Sequence, residues 1–590
     1  MRSRWTLLVV LALFVPATAI VAVGAPASAS SGTLASSPSD APGFSLHPGD
    51  IPSGAERAAF HVPYGRSARG LASTDSKNAA FSGGSPGDGP VSGTAFIPVI
   101  LADFSDEGAS KKQHPPRAYK RLLFEKDYPH GAGSLRDYYD DQSSGLLDVT
   151  GVVTDRWLRM PRTYKAYSGS SEGYQNSVPN DRTLVEDAVE RADSSMDFCK
   201  GDTDRDGYVD TVFVVHAGPG AEEVGSGIWS IHWFLSQAYE TDDVCANGRA
   251  ARVSDFTVVP EGYARSLYSA PGAPDKLISI GIFAHEFGHV LGLPDLYDTD
   301  GSSPGGVGPW DLMATGTFGF TGEHPWRPMP LSPWSKMHLG WAQPLVAKKD
   351  LRRSSLGSLD LRGSGGKPEL YKVPSGGPST LYYLIENRQR SVWSADMPAE
   401  GIAIWRIDES ASDNDGSRRM VHLVQADGLN ELGASQDEYE KGDAGDLWPG
   451  VTGKRKFAPG TTPSSALAPG SAIGITVRIR SLGALSGLDI ILADVPQTIP
   501  RPAPFPTPTP TATSNATAHP TGTPTPWASP TSWTYPTPTP QPSNPQGPPP
   551  STPPAQPSPE ASSPPAPEPT NSPPPESSSP PPPGPTYPPN

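Results

Sequence analysis

Residues 284–298 read AHEFGHVLGLPDLYD. Within this stretch His285, Glu286 and His289 form the pattern HExxH. On a helix, positions i and i+4 lie on one face about a turn apart, so both imidazoles can reach a single ion. Zinc suits such a pair, and Glu286 beside it is placed to take a proton from zinc-bound water as general base. Zinc lowers the pKa of that water, so a hydroxide-like nucleophile exists near neutral pH. With 12 histidines in 590 residues the pattern arises by chance only about 0.01 times in such a chain. An ordinary helix would bury these polar groups at a desolvation cost that nothing repays.

The following residues extend the pattern to HExxHxxGxxD. Gly292 can take a left-handed φ and end the helix, and Pro294 prevents its continuation. Asp295 then arrives as the third ligand. The metzincin pattern has histidine at that place, so aspartate is a departure, though a carboxylate oxygen is an accepted zinc ligand. Asp298 is the near alternative, and Glu323 the alternative from a later segment. Downstream, GPWDLMATGTFG (308–319) offers Met313 for a Met-turn beneath the histidines. Three protein ligands leave one position open, as in catalytic rather than structural zinc sites.

Working outward, KLISIGIFAHEFGHVLGL (276–293) predicts a buried apolar helix. AFIPVILADF (95–104) and YVDTVFVVHAG (208–218) predict strands. SLRDYYDDQSSGLLDVTGVV (134–153) predicts a helix capped by Ser134, a turn at Gly145 and a strand. LVEDAVERA (184–192) has helical spacing. Beyond Trp341 the pattern becomes short alternating strands, among them 381–389, 401–408, 421–427, 472–479 and 487–493. The fold class is therefore α+β. A metzincin-like zincin domain at 94–345 is followed by a β-rich, sandwich-like domain at 346–493.

Composition sets the flanks. Of 72 prolines, 35 fall in 501–590, so 494–590 is expected to be a disordered Pro/Ser/Thr-rich tail. The first 29 residues combine Arg2 and Arg4, an apolar run and small residues at 25–29, the pattern of a signal peptide; an uncleaved anchor is the alternative. Residues 30–93, rich in Ser, Gly and Ala, read as a linker, leader or propeptide that could mask the cleft. The mature chain is then expected outside the cell or at the cell wall, and not membrane-spanning. A net charge of −16 repels phosphate backbones, so nucleic acid is not an expected partner. In an oxidising compartment Cys199 and Cys245 pair most simply; two buried thiols are the alternative.

Two acidic stretches suggest calcium. DTDRDGYVD (202–210) places Asp202, Asp204, Asp206 and Asp210 at loop positions 1, 3, 5 and 9, with Gly207 at the turn and the Tyr208 carbonyl at position 7. Position 12 is Phe213, so the bidentate glutamate is missing and a strand follows, which makes the loop EF-hand-like on another scaffold. A solvated acidic turn is the alternative. GDAGD (442–446) offers Asp443 and Asp446 as a weaker candidate. His216 and His232 read as structural histidines, and Trp229 and Trp233 as core.

Several stretches together, including SLRDYYDDQSSGLLDVTG, DTDRDGYVDTVFVVHAGPGAE, GIFAHEFGHVLGLPDLYD, LSPWSKMHLGW and GDAGDLWPG, make the chain resemble the immune inhibitor A family of secreted bacterial zinc metallopeptidases. The resemblance spans about 95–490. It implies endopeptidase activity on protein or peptide substrates, catalytic zinc at His285 and His289, Glu286 as base, and structural calcium. A zinc amidase acting on cell-wall material, or an inactive peptidase-like adhesin, are the rival functions.

Overall fold

The computed structural model describes residues 90–175, 177–299, 306–361, 366–414, 418–432, 442–468, 471 and 473–492. The expected signal peptide, nearly all of the leader and the whole of the Pro-rich tail lie outside the described residues. The described residues all fall in one unit, Met1–Ile499.

The apolar run at 95–104 becomes strand β1 (Gly93–Asp103). It pairs in parallel with β2 (Leu147–Val153) and, at its end, with β3 (Leu158–Arg159). On its other side lies β4 (Val212–His216), also parallel. The sheet continues through β6 (Ala250–Pro260) and closes with an antiparallel edge strand, β5 (Ile231–Val244). Parallel strands require crossovers, and the helices Pro116–Phe124 and Leu135–Gln142 supply the first. Ser134 caps the second of these in a capping box with Asp137, as its sequence predicts.

The central helix runs Ile280–Val290 and is buried on nearly every side. It is shorter than the apolar run that predicts it. Residues 276–278 are drawn into extended pairing with 261–263, through Tyr263 N–H to the Lys276 carbonyl and Ile278 N–H to the Glu261 carbonyl. At the other end Gly292 has φ +93°, and its N–H and that of Leu293 bond back to the His289 and Gly288 carbonyls. Glycine alone takes that conformation without strain, so the helix stops there.

Past residue 345 two antiparallel-rich sheets form. One contains β7 (Leu345–Val346), β9 (Leu370–Pro374), β10 (Leu381–Arg388), β11 (Gly401–Asp408) and β12 (Val421–Leu423). The other contains β8 (Leu351–Leu356), β13 (Lys456–Phe457), β14 (Thr476–Ser481) and β15 (Ser486–Ile491). The two-residue period of a strand sorts their side chains. Tyr383, Ile385, Ile402 and Ile404 meet Phe457, Val477, Leu488 and Ile490 between the sheets. Tyr382, Leu384, Ala403, Trp405 and Ile407 point the other way and join the core that contains the central helix. β10 and β11 are therefore apolar on both faces. The architecture is α+β.

Cys199 and Cys245 form a disulfide with Cα atoms 5.3 Å apart, tying the approach to the acidic loop to the β5–β6 turn. Among the described residues no helix is long and apolar enough to cross a membrane.

Candidate metal centre

The helical spacing of His285 and His289 brings their Nε2 atoms to 3.2 Å of each other. The left-handed turn at Gly292 returns the chain so that Asp295 Oδ1 lies 3.2 Å from His285 Nε2 and 3.3 Å from His289 Nε2. The outer nitrogens settle what these atoms are. His285 Nδ1 lies 3.0 Å from the Leu312 carbonyl and His289 Nδ1 2.8 Å from the Leu293 carbonyl. A carbonyl only accepts, so each Nδ1 carries a proton, and a neutral ring then offers its Nε2 lone pair to a metal ion. Asp295 Oδ1 is buried and has no hydrogen-bond donor. Two imidazole nitrogens and one carboxylate oxygen thus converge on one point.

That arrangement fits a zinc ion. Ligands at about 2.0–2.1 Å in a tetrahedron stand about 3.3 Å apart, which is the spacing of these three atoms. The donor set, two imidazoles and one carboxylate, is also one that zinc accepts. No other histidine, cysteine or carboxylate joins the group among the described residues. Burial works against an imidazolium at His289, yet the Asp295 carboxylate overrides it and pushes the pKa up to about 9. The two imidazoles in turn hold Asp295 far below the ordinary carboxylate range, against the opposing effect of burial.

Neighbouring residues explain the local sequence. Met313 is fully buried, and its Sδ lies 2.5 Å from where a Cβ on Gly288 would sit. Gly288, inside the HEFGH stretch, is required by that close approach. The Met313 carbonyl accepts from Leu296 N–H at 2.7 Å, linking the methionine turn to the residue after Asp295. Tyr139 Oη donates to the Ala284 carbonyl at 2.6 Å and steadies the helix. Glu286 is buried beside the group, and its charge bears on His289, Glu222 and Tyr174. Burial, with the Glu286 charge adding to it, pushes Glu222 up to about 7, although Ser230 Oγ donates to it at 2.7 Å.

Asp298 and Glu323 are not part of the three-atom group; Glu323 is exposed. His232 is buried in β5, 2.9 Å from Asp255, with its ring 6.2 Å from that of His289. No feature of the sequence around His232 marks that pairing, since Asp255 comes from the neighbouring strand. His216 is fully buried, with Nδ1 on the Ala217 carbonyl and Nε2 unbonded. Burial pushes its pKa down to about 4. The folded chain therefore binds this proton less readily than the unfolded chain, and stability is lost as pH falls from about 6.5 toward 4. His216→Phe should remove that dependence. Wild type should lose roughly tenfold in folded-to-unfolded ratio per pH unit relative to this variant across the window, read by denaturant unfolding. A constant difference between pH 7 and 4 would contradict the assignment.

The first acidic loop gathers Asp202, Asp204 and Asp206, with one oxygen of each within 4.8 Å of the others. Gly207, at φ +99°, makes the sharp turn, and its N–H donates to Asp202 Oδ2 at 3.1 Å. Asp202 Oδ1 is buried without a partner. Burial and the neighbouring carboxylates push Asp204 up to about 6. Asp210 is not in this group; its carboxylate bonds to Thr203 Oγ1. Tyr208 is exposed, and the chain passes directly into β4. In the second stretch Asp443 groups with Asp427 and Glu431, not with Asp446. Asp446 is fully buried and accepts from Trp310 Nε1, Gln425 Nε2 and Asp443 N–H. These bonds tie Asp446 to the fold, outside the acidic group that holds Asp443.

A helix-borne histidine pair is completed here by a returning carboxylate beside the edge strand β5 of a largely parallel sheet, an arrangement of metallopeptidase type. Residues 103–342 match the family described as immune inhibitor A peptidase M6, catalytic domain. The chain is 32% identical over 214 residues to immune inhibitor A of Bacillus thuringiensis subsp. alesti, covering 31% of this chain and 28% of that protein. It is 30% identical over 292 residues to the pre-pro-metalloprotease PrtV of Vibrio cholerae serotype O1, covering 42% of this chain and 30% of that protein. The chain thus spans under a third of the length of these curated relatives.

Proposed function

We propose that this protein is an exported zinc endopeptidase with a metzincin-like catalytic centre. The observation that carries the reading is the convergence of His285 Nε2, His289 Nε2 and Asp295 Oδ1, three acceptors at zinc spacing beside a buried glutamate. When bound there, zinc supplies Lewis acidity toward a peptide carbonyl and toward water. His285 and His289 present neutral Nε2 lone pairs because Leu312 and Leu293 hold the Nδ1 protons. Glu286 accepts the proton of the attacking water and passes it to the departing amine nitrogen. β5 is the edge strand of the sheet, where an extended peptide can pair with backbone groups other than the Phe234 carbonyl and the Asp242 N–H, which Arg182 and Asp193 already hold. Secretion, and a tail that keeps the enzyme at the cell wall, belong to the same proposal and rest on the terminal sequences alone.

The test is metal removal. Chelator-treated protein should lose at least about 100-fold of its casein-cleaving activity, and stoichiometric zinc should restore it. Full activity in zinc-free protein would refute the proposal, and cleavage confined to peptidoglycan would replace it with the amidase reading.

Calcium at Asp202, Asp204 and Asp206 is the second part of the proposal, supported by the unpartnered buried oxygen of Asp202. Millimolar calcium should raise the unfolding midpoint by about 3 °C or more, and Asp204→Asn should cancel that shift. A shift that survives in Asp204→Asn would place the ion elsewhere.

A further inference from the structure

Asp295 and Met313 both sit in irregular chain, where no helix or sheet ladder fixes the backbone. We infer that the β-rich segment shapes the metal centre, with Asn414, Arg388 and Asp446 as positioning residues for Asp295 and Met313. The inference rests on the zinc reading of His285, His289 and Asp295.

The first grip falls one residue after the third ligand. The Leu296 carbonyl accepts from Val307 N–H at 3.0 Å and from Asn414 Nδ2 at 2.9 Å. Asn414 is fully buried. Its Oδ1 accepts from Val421 N–H at 2.8 Å, and its Nδ2 also donates to the Val421 carbonyl at 2.9 Å. This double bond to the backbone of β12 fixes which end of the amide faces Leu296. Because Leu296 N–H reaches the Met313 carbonyl, the same residue is held on both sides.

The second grip falls three residues before Met313. Trp310 is fully buried, and its indole N–H donates to Asp446 Oδ2 at 2.8 Å. Its carbonyl accepts from Arg388 Nη2. Arg388 is itself fully buried on β10, with Glu386 and Asp360 each 3.7 Å from its Nη1. Asp360 in turn lies 3.2 Å from Lys336, in the helix Pro333–His338. Apolar residues could fill this interface at lower desolvation cost. A buried polar set specifies one docking geometry, and metal ligands need placement within about 0.5 Å. Sequence alone does not reveal this, because the gripping residues lie 78 to 136 positions from their targets.

The full-length chain with Asn414→Asp provides the test. The substitution keeps size and the acceptor for Val421 N–H but removes the donor shared by the Leu296 and Val421 carbonyls. The control is Asn387→Asp, an equally buried amide whose Nδ2 donates only to Leu356, Gly483 and Ala484 inside the β-rich segment. Relative to wild type, Asn414→Asp should raise the zinc dissociation constant about tenfold in chelator competition and lower kcat, with KM within about twofold. In metal-free protein it should speed amide exchange across 290–299 and 306–314 about tenfold. Asn387→Asp should change none of these, whatever its effect on the unfolding midpoint. Equal effects from both variants, or wild-type values for Asn414→Asp, overturn the inference. If Asn414→Asp does not fold, Asp446→Asn is read in the same way at the Trp310 grip. Failure of wild type to bind zinc removes the metal reading separately, while the exchange comparison on metal-free chains still decides whether the grip exists.

Discussion

Glu286→Gln should lower peptide hydrolysis by about 10³-fold or more while the protein keeps one zinc per chain. General-base catalysis contributes about 10²–10⁴-fold, and in the proposed reaction one group carries the proton both from water and to the leaving amine. The glutamate stands next to His285 in sequence but is absent from the three-atom group, so losing its charge removes no ligand. Glutamine preserves the shape of a side chain buried against the helix, which separates chemistry from packing. The nearby buried carboxylate is Glu222, already held by Ser230 through both Oγ and the backbone N–H. It has no free geometry with which to take over. Zinc content by elemental analysis and casein cleavage on the same preparation check the result. Residual activity within tenfold of wild type would mean that Glu286 is not the base.

Asp295→Ala should abolish both zinc retention and activity, and Asp298→Ala should leave zinc bound. Loss of a hydrogen-bond partner behind a ligand already costs about 10–100-fold in metal affinity, so loss of the ligand itself should exceed about 100-fold. Removing Asp295 leaves two neutral imidazoles 3.2 Å apart and no anion to offset the charge of a divalent cation. It also removes the carboxylate that holds a proton at His289 in metal-free protein. Chelator competition on the two variants side by side reads this directly. Zinc loss in Asp298→Ala with retention in Asp295→Ala would reverse the assignment and break the link between the Gly292 turn and the ligand.

How much of this was legible in the chain varies from residue to residue. His285, Glu286 and His289 could be placed because a helix converts four positions of sequence into one turn of space. Gly292 marked the end of the helix because a left-handed φ is nearly a private property of glycine, and φ +93° is what it adopts. Asp295 was only the favoured choice among Asp295, Asp298 and Glu323, since a returning loop has no period. The same limit appears in the acidic stretches. Asp202, Asp204 and Asp206 are gathered by a local turn, whereas Asp446 lies apart from the acidic group that holds Asp443. Its partner Trp310 lies 136 residues away, and nothing local announces that bond.

The central helix Ile280–Val290 and the strands were therefore set by local pattern, apolar periodicity and glycine placement. The sequence by itself determined the chemistry available: two imidazoles, a base and an acidic loop, each encoded within about a dozen residues. Only the tertiary structure decided which carboxylate completes the three and which strands are buried on both faces. It also decided that residues past 370 hold the chain around Asp295 and Met313. Those outcomes depend on contacts between segments far apart in the chain, and such contacts exist only once the core that buries them has formed.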